Sequence, residues 1–466
     1  MKQKHIHFMG IGGSAVAGVA ILAKNFGFKV SGCDLQSETY YSSVLKKEKV
    51  KYFTGHNVNH LKDVDILAVS AAVYPIKSPH PEVIEARKRG ILMSWQEFQG
   101  KYLQKDKEVI SIAGTHGKST TTAMVGLVME EGGLDPTVEV GAIIPQWQAT
   151  FRFGQSKYFV CEADEFNNNF LNYSPSLIII NNLEMDHPEF FKDFNEFKEA
   201  FRKFIQRIKK PKILILNEES LGVKELLIEM KDWLVKEKIK VIGFYLDNNF
   251  SFPFFKEYQG LIIEKKPDFT VFKIKRNNLE ENFQINLPGT HLVMDSLAAL
   301  AAGFELGLKS ETMKKTLGKF QGLNRRFDLI GEEKGIKIYD DYAVHPTAIE
   351  ATLQAVRQKY PFQKIWAIFE PHQYSRLKLF LNEFAKSFNL ADIVIVTSIY
   401  PGREEEDKTI KVEDLVEQIG EKAFFQPDFD LLAQQINQKA ANGDIVVVFG
   451  AGKSHQLSRK ILDNLK

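Results

Sequence analysis

Gly114, Thr115, His116, Gly117, Lys118, Ser119 and Thr120 join the apolar run "VISIAG" to the helix-forming run "KSTTTAMVGLVMEEGG". A glycine turn at a strand-to-helix junction aims backbone N–H groups outward, and the helix dipole favours an anion there. Lys118 can neutralise the β- and γ-phosphates of a nucleoside triphosphate, and the Ser119 hydroxyl can ligate Mg2+. The turn is shorter than G-x-x-x-x-G-K-[ST], since Ile112 stands where the first glycine belongs. Two acidic strand ends follow. "VCEADEF" carries Glu162, Asp164 and Glu165, and "NNLEMDHPEF" carries Glu184, Asp186 and His187. Carboxylates and an imidazole at adjacent strand ends suit a hard cation beside phosphate oxygens. Either set alone could equally be an ordinary strand-end loop.

A second phosphate-type loop lies about a hundred residues earlier, in "HFMGIGGSAVAG". Gly10, Gly12 and Ala15 fit G-x-G-x-x-[G/A] after a strand, and the next strand, "FKVSGCD", ends in Asp34. That pattern places a pyrophosphate at a helix N-terminus, around Gly12, Gly13 and Ser14. A nicotinamide dinucleotide is one ligand it admits, but an NAD enzyme leaves Lys118 without a task. Asp34 either reads a hydroxyl of the bound nucleotide or caps the next turn.

The elements that must carry these loops alternate strand and helix. "HIHFMGI", "FKVSGCD", "VKYFTG", "DILAVSAAV" and "ILMSW" read as strands of a first parallel sheet. After the charged stretch "GKYLQKDKE", buried strands recur in "KYFVCEADE", "SLIIINNLE" and "PKILILNEE". Residues 241–288 shift to alternating strands such as "DFTVFKIKRN" and "ENFQINLP", which predicts an antiparallel patch. The Ala- and Leu-rich "MDSLAALAAGFELG" reads as a helix, and "GIKIYDDYA", "KIWAIFEP", "DIVIVTSIY" and "DIVVVFGAG" open a third α/β block. The expectation is an α/β protein of three domains: a Rossmann-like 1–104, a P-loop ATPase-like 105–320 and a Rossmann-like 321–466. A length of 466 residues suits three domains. A net charge of +2 points to neither nucleic acid nor a membrane surface. Cys33 and Cys161 fit no metal spacing, suit a reducing compartment and read as core residues. With no signal peptide or membrane-length apolar run, the cytoplasm is the expected location.

"GTHGKSTT", "CEADE", "DH" after a strand, "NRRFD", "DDYAVHPT" and "EPHQYSR" together resemble the Mur ligases, ATP-dependent amide-bond ligases of peptidoglycan precursor synthesis. The likeness runs in order over essentially the whole chain. It implies that Lys118 contacts ATP phosphates, that Ser119 and Glu162 hold one Mg2+, and that Glu162 and His187 hold a second. Arg326, from "NRRFD", would reach the phosphates from the third domain, and Asp341 would bind the ATP ribose. The first loop would then cradle the diphosphate of a UDP-sugar. Among the branches, "HFMGIGG", "DDYAVHPT" and "EPHQYSR" are most similar to the one adding L-alanine to UDP-N-acetylmuramate. The alternative is the recycling branch that joins the same sugar nucleotide to a murein tripeptide.

Several positions depart from the family pattern. In "GTHLVMD", His291 remains of the adenine-holding segment, while Leu292 and Asp295 replace both asparagines. Val344 replaces a histidine and Gln373 an arginine in the segments that help bind the amino acid, where His345, His372 and Arg376 remain. Phe201 and Arg202 stand at or beside the position where several branches carry a carbamylated lysine, which the alanine-adding branch likewise lacks. His345, His372 and Arg376 are expected to meet the central loop when the domains close, in a monomer or weak homo-oligomer. A nucleotide switch without chemistry and a folate–glutamate ligase are rival readings. The first predicts ATP hydrolysis indifferent to substrate, and the second has no use for the opening domain.

Overall fold

A computed structural model describes residues 3–70, 80–246, 256–276 and 279–466. The end of the expected strand "DILAVSAAV" and Asn277 of "DFTVFKIKRN" lie outside the described residues. Three sheets form. In the first, Lys51–Thr54, Lys29–Asp34, His5–Met9, Ile66–Val69 and Leu92–Ser94 lie side by side, all parallel. The chain starts in the middle and winds outward both ways, so the strand order reverses beside His5–Met9. The crevice at such a reversal is where open α/β sheets bind ligands, and the loop after His5–Met9 fills it.

Ten strands build the second sheet. Its central strand, Glu108–Ala113, runs parallel between Leu177–Ile180 and Tyr158–Glu162. Apolar runs such as "LIII" are buried along their whole length, as strands covered by helices on both faces require. Beyond them, Lys256–Lys265, Thr270–Arg276 and Leu279–Ile285 pair antiparallel, the expected patch. Thr137–Ile144 and Ala149–Arg152 extend the opposite edge, two strands the sequence reading omitted. The third sheet has six strands, with Asp328–Glu333 antiparallel at one edge and the other five parallel.

Helix packing ties the sheets together. Helix Ser14–Asn25 is buried without interruption from Val16 to Ala23. Its outer side lies on the second sheet, where a Cβ added to Gly18 would come within 2.7 Å of Thr150 Oγ1, and Phe26 meets Phe153 edge-on at 5.3 Å. Helix Lys118–Glu131, buried from Ser119 to Met129, is covered by helix Thr290–Glu305, with Ser296 Oγ 3.7 Å from Met124 Sδ. Each fully buried Leu, Val or Met in these layers contributes about 1.5–3 kcal/mol. Among the described residues no helix is long and apolar enough to cross a membrane.

Candidate active site

Because the two neighbours of Glu108–Ala113 run parallel to it, their C-terminal ends flank the loop that follows it. Register pairs Ile112 with Glu162 on one side and Ala113 with Ile180 on the other. The acidic segments 162–165 and 181–187 are thereby brought to Lys118. Gly117 caps the helix with φ +77, a conformation glycine adopts freely. No side chain caps this end, so its first N–H groups stay available to an anion. Asn182 Oδ1 accepts the His116 N–H at 2.8 Å, and Thr115 exchanges hydrogen bonds with Glu184, fixing the turn.

Lys118 Nζ lies 3.0 Å from both oxygens of Glu165 and donates to Gly114 O at 2.6 Å. Burial opposes its charge, but Glu165 and Asp164 outweigh that and hold its pKa above the ordinary lysine value. Burial raises the Glu165 carboxyl in turn, against the pull of Lys118 and His187. His187, at φ +54, gives Nδ1 to Glu189 at 3.1 Å, leaving Nε2 3.7 Å from Glu165 and 3.8 Å from Asp186. Asp164, Glu165 and His187 present ligand atoms within 4.8 Å of one another. A carboxylate fixing the far nitrogen of an imidazole is a common support for a metal ligand. Ser119 sits in the first turn of the same helix. These hard donors beside an uncapped helix end fit Mg2+ accompanied by phosphate.

Glu162 is not in this group. It ends its strand facing Thr137–Ile144, where Oε1 accepts the Gly141 N–H. The chain then turns at Ala163, and Asp164 and Glu165 reach the loop instead. Sequence reading singled out Glu162 by likeness to the family motif, and only the turn geometry brings Glu165 against Lys118.

The third sheet closes over this group. Arg376 donates from Nε and Nη2 to Asp186 Oδ1 at 3.0 and 2.7 Å, and Nη1 lies 2.8 Å from His372 Nδ1. Burial works against the Asp186 charge, but Arg376 holds its pKa well below the usual range. His345 Nε2 lies 3.2 Å from Met185 O, and its ring is 4.6 Å from that of His116. Thr347 Oγ1 donates to Glu184 at 2.7 Å. Burial lowers His345 to about 4 and His372 to about 3, so both are neutral at neutral pH. Gln373, where an arginine was expected, sits at φ +73 and hydrogen-bonds Glu189, the residue that orients His187. His345 and Arg376 thus contact the central segments directly, while His372 lies behind Arg376.

Arg326 acts electrostatically on both Asp295 and Asp341, and stacks over Tyr342 at 4.9 Å. Asp341 accepts the Phe327 and Ala343 N–H groups at 2.7 and 2.8 Å. The Ala-rich helix begins at Thr290, four residues before the expected start, because Gly289 turns the chain at φ +119. His291 is therefore helical and half-buried, and desolvation lowers it to about 4. Asp295 comes up against Gly117 and accepts from Thr121 Oγ1 at 3.1 Å. In the first sheet, Gly13 caps its helix without a side-chain partner, and Asp34 Oδ2 accepts the Gly12 N–H at 3.0 Å. Asp34 also accepts Gln36 N–H, so it caps its own turn. Ser14 opens the helix.

Three α/β sheets, with a glycine loop and two acidic strand ends gathered in the second, make the three-domain architecture of an ATP-dependent amide ligase. The chain belongs to the Mur ligase family. Residues 5–105 match the Mur ligase family catalytic domain, 112–303 the Mur ligase middle domain, and 325–452 the Mur ligase glutamate ligase domain. Its full-length relatives include the UDP-N-acetylmuramate–L-alanine ligase of Alkaliphilus metalliredigens, 37% identical over 463 residues (98% of this chain, 97% of that one). The enzyme of the same name from Acetivibrio thermocellus is 36% identical, covering 99% of this chain and 96% of its own. Among solved structures, the UDP-N-acetylmuramate-alanine ligase of Thermotoga maritima superposes with a TM-score of 0.80 at 25% identity, covering 98% of each chain. A murein peptide ligase from Psychrobacter arcticus shares the fold, with a TM-score of 0.73 at 24% identity over 99% of this chain and 98% of its own.

Proposed function

We propose that this enzyme couples ATP cleavage to amide formation between the lactyl carboxylate of UDP-N-acetylmuramate and the amine of L-alanine. The observation that carries it is the full-length, colinear match to ligases of that specificity, with Lys118, His187, His345 and Arg376 gathered where the sheets meet. We assign residues 1–104 to the sugar nucleotide, 105–320 to ATP and 321–466 to the amino acid.

A carboxylate and an amine do not condense in water unactivated. The γ-phosphoryl group passes to a lactyl oxygen, breaking its bond to ADP and giving an acyl phosphate. The amine attacks the acyl carbon, the carbon–oxygen bond to phosphate breaks, and one proton leaves the nitrogen. Lys118 and the uncapped helix end offset charge repulsion between carboxylate and triphosphate. Ser119, Asp164, Glu165 and His187 would hold Mg2+, which screens phosphate charge. Glu162 would join them on releasing Gly141. Gly114 to Thr120 cradle the phosphates, Arg326 reaches them from the third unit, and Asp341 and His291 border the nucleoside. Gly12, Gly13, Ser14 and Asp34 take the UDP diphosphate. His345, His372 and Arg376 position the amino acid and, by closing the seam, keep water from the acyl phosphate. We place the enzyme in the cytoplasm, as a monomer or weak homo-oligomer.

Phosphate release measured with UDP-N-acetylmuramate, ATP, Mg2+ and a panel of L-alanine, L-serine, glycine and murein tripeptide tests the reading. Turnover should require both the sugar nucleotide and an amino acid, with L-alanine preferred. Activity with tripeptide alone would overturn the choice of acceptor.

A further inference from the structure

Among the described residues, three groups of His, Cys, Asp and Glu bring ligand atoms within 4.8 Å of one another. Two lie at the seam. The third, His7, Cys33, His60 and Glu82, sits in the first sheet and has no task in the reaction above. Its members come from four separate elements: strands His5–Met9 and Lys29–Asp34, the turn Val58–Leu61 and helix Pro81–Lys88. His7, Cys33 and Glu82 are fully buried, and the His60 side chain is 13% exposed.

The surroundings hold these donors in place. Ser31 Oγ lies 2.8 Å from His7 Nδ1, so Nε2 is the free nitrogen, and it is buried without a partner. Cys33 Sγ lies 3.6 Å from Glu82 Oε2 and 3.1 Å from His56 Nδ1. Glu82 Oε1 lies 2.8 Å from His60 Nδ1 and accepts the Asn57 N–H at 2.9 Å. Phe53 stacks on the His60 ring at 4.5 Å. Such outer contacts orient ligands in metal sites.

Charge supplies the second argument. His7, Cys33 and Glu82 are closed to water, with their ligand atoms within 4.8 Å of one another. A buried carboxylate beside neutral donors is costly. His60 Nδ1, though close to Glu82, lacks hydrogen-bond alignment with it, so it and His7 Nε2 are both buried without a hydrogen-bond partner. A dication with one thiolate, one carboxylate and two neutral imidazoles sums to zero charge, and it deprotonates the thiol on binding.

We propose that His7, Cys33, His60 and Glu82 bind one divalent cation of the zinc class in a closed, four-ligand site. A mixed nitrogen, sulfur and oxygen set selects zinc over magnesium or calcium. Four protein ligands leave no open position, so the ion is structural. It braces the first glycine loop: Cys33 O accepts the Gly10 and Ile11 N–H groups at 2.8 and 3.2 Å, and Asp34 holds Gly12. Only this last consequence for sugar-nucleotide binding rests on the proposed function.

The test uses the full-length protein, stripped of metal and titrated with Co2+ as a spectroscopic stand-in. One equivalent should give intense tetrahedral visible bands and a near-ultraviolet thiolate-to-cobalt charge-transfer band, both removed by Zn2+. Cys33→Ser should abolish the charge-transfer band and weaken Co2+ binding at least about tenfold, while Cys161→Ser keeps the band. Stoichiometric Zn2+ should raise the Tm of the wild type and not of Cys33→Ser. Absence of the band in the Co2+-titrated wild type, or its survival in Cys33→Ser, overturns the proposal without recourse to any variant's folding in the first case. Mg2+-dependent phosphate release is read separately, so failure of the ligase reading leaves the cobalt spectrum unchanged.

Discussion

Replacing Asp295 with asparagine removes a proton equilibrium from the floor of the Lys118 loop. Asp295 is buried, with Thr121 Oγ1 as its hydrogen-bond donor and, among the described residues, Arg326 as the cation drawing on it. Burial dominates and raises its pKa from 3.8 to about 7. An unfolded aspartate ionises above about 3.9, whereas the folded one keeps its proton to about 7. In that window the folded state binds more protons, so stability falls as pH rises. The cost is complete above the folded pKa. At 1.36 kcal/mol per unit, about three units give an upper limit of about 4 kcal/mol. Asparagine pays nothing of this and keeps an oxygen for Thr121. Paired urea titrations of wild type and Asp295→Asn should therefore show a variant advantage that grows by about 2.5 kcal/mol between about pH 5 and about pH 8. A difference that stays flat with pH, or grows toward acid, would refute a desolvated Asp295.

Other expectations follow from the same geometry. Lys118→Ala should cut kcat by about 100- to 1,000-fold or more, read as phosphate release; a rate near wild type removes Lys118 from the phosphate site. Arg376→Ala strands Asp186 as a buried unpaired charge, worth about 3–5 kcal/mol. It should lower kcat and expand the solution-scattering radius, while Arg376→Lys recovers part of both. Gly12→Ala places a Cβ 2.9 Å from Asp34 Oδ2 and against Thr39, so KM for UDP-N-acetylmuramate should rise at least about tenfold, equivalent to 1.4 kcal/mol, with KM for ATP unchanged. Burial holds His345 at about 4 and His372 at about 3. Neither should therefore impose a step on the kcat profile between about pH 6 and about pH 8, and His372→Gln should leave its shape unaltered.

Both glycine loops were legible because their chemistry is local: a strand end, a turn and a helix start follow one another in sequence. The same holds for the parallel strands, whose unbroken apolar runs have no other stable use. Thr137–Ile144 was missed because Glu139 and Gly141 interrupt its apolar pattern; Glu139 is nonetheless buried, and burial raises its pKa well above the usual range. The choice of Glu165 over Glu162 at Lys118 depends on one turn after a strand, which spacing does not encode. Arg376 and Asp186 are 190 residues apart, so their pairing belongs to the packing of whole sheets. Asp295 read as a departure from a motif, and its environment emerges only when two helices are laid together. His7, Cys33, His60 and Glu82 have no short spacing at all, which is why the two cysteines read as mere core.

The helix Ser14–Asn25 has a mechanical consequence. Its apolar flank is pressed on the second sheet through Gly18, Thr150, Phe26 and Phe153, a seam that water cannot re-enter without exposing hydrocarbon. The seam to the third sheet consists instead of polar contacts such as Arg376–Asp186, Thr347–Glu184 and Asn324–Tyr40, which water can replace at a net cost of about 0.5–1.5 kcal/mol each, more for the charged pair. The two glycine loops are therefore joined by hydrocarbon as one anvil, while the third sheet rests on them through contacts that water can replace.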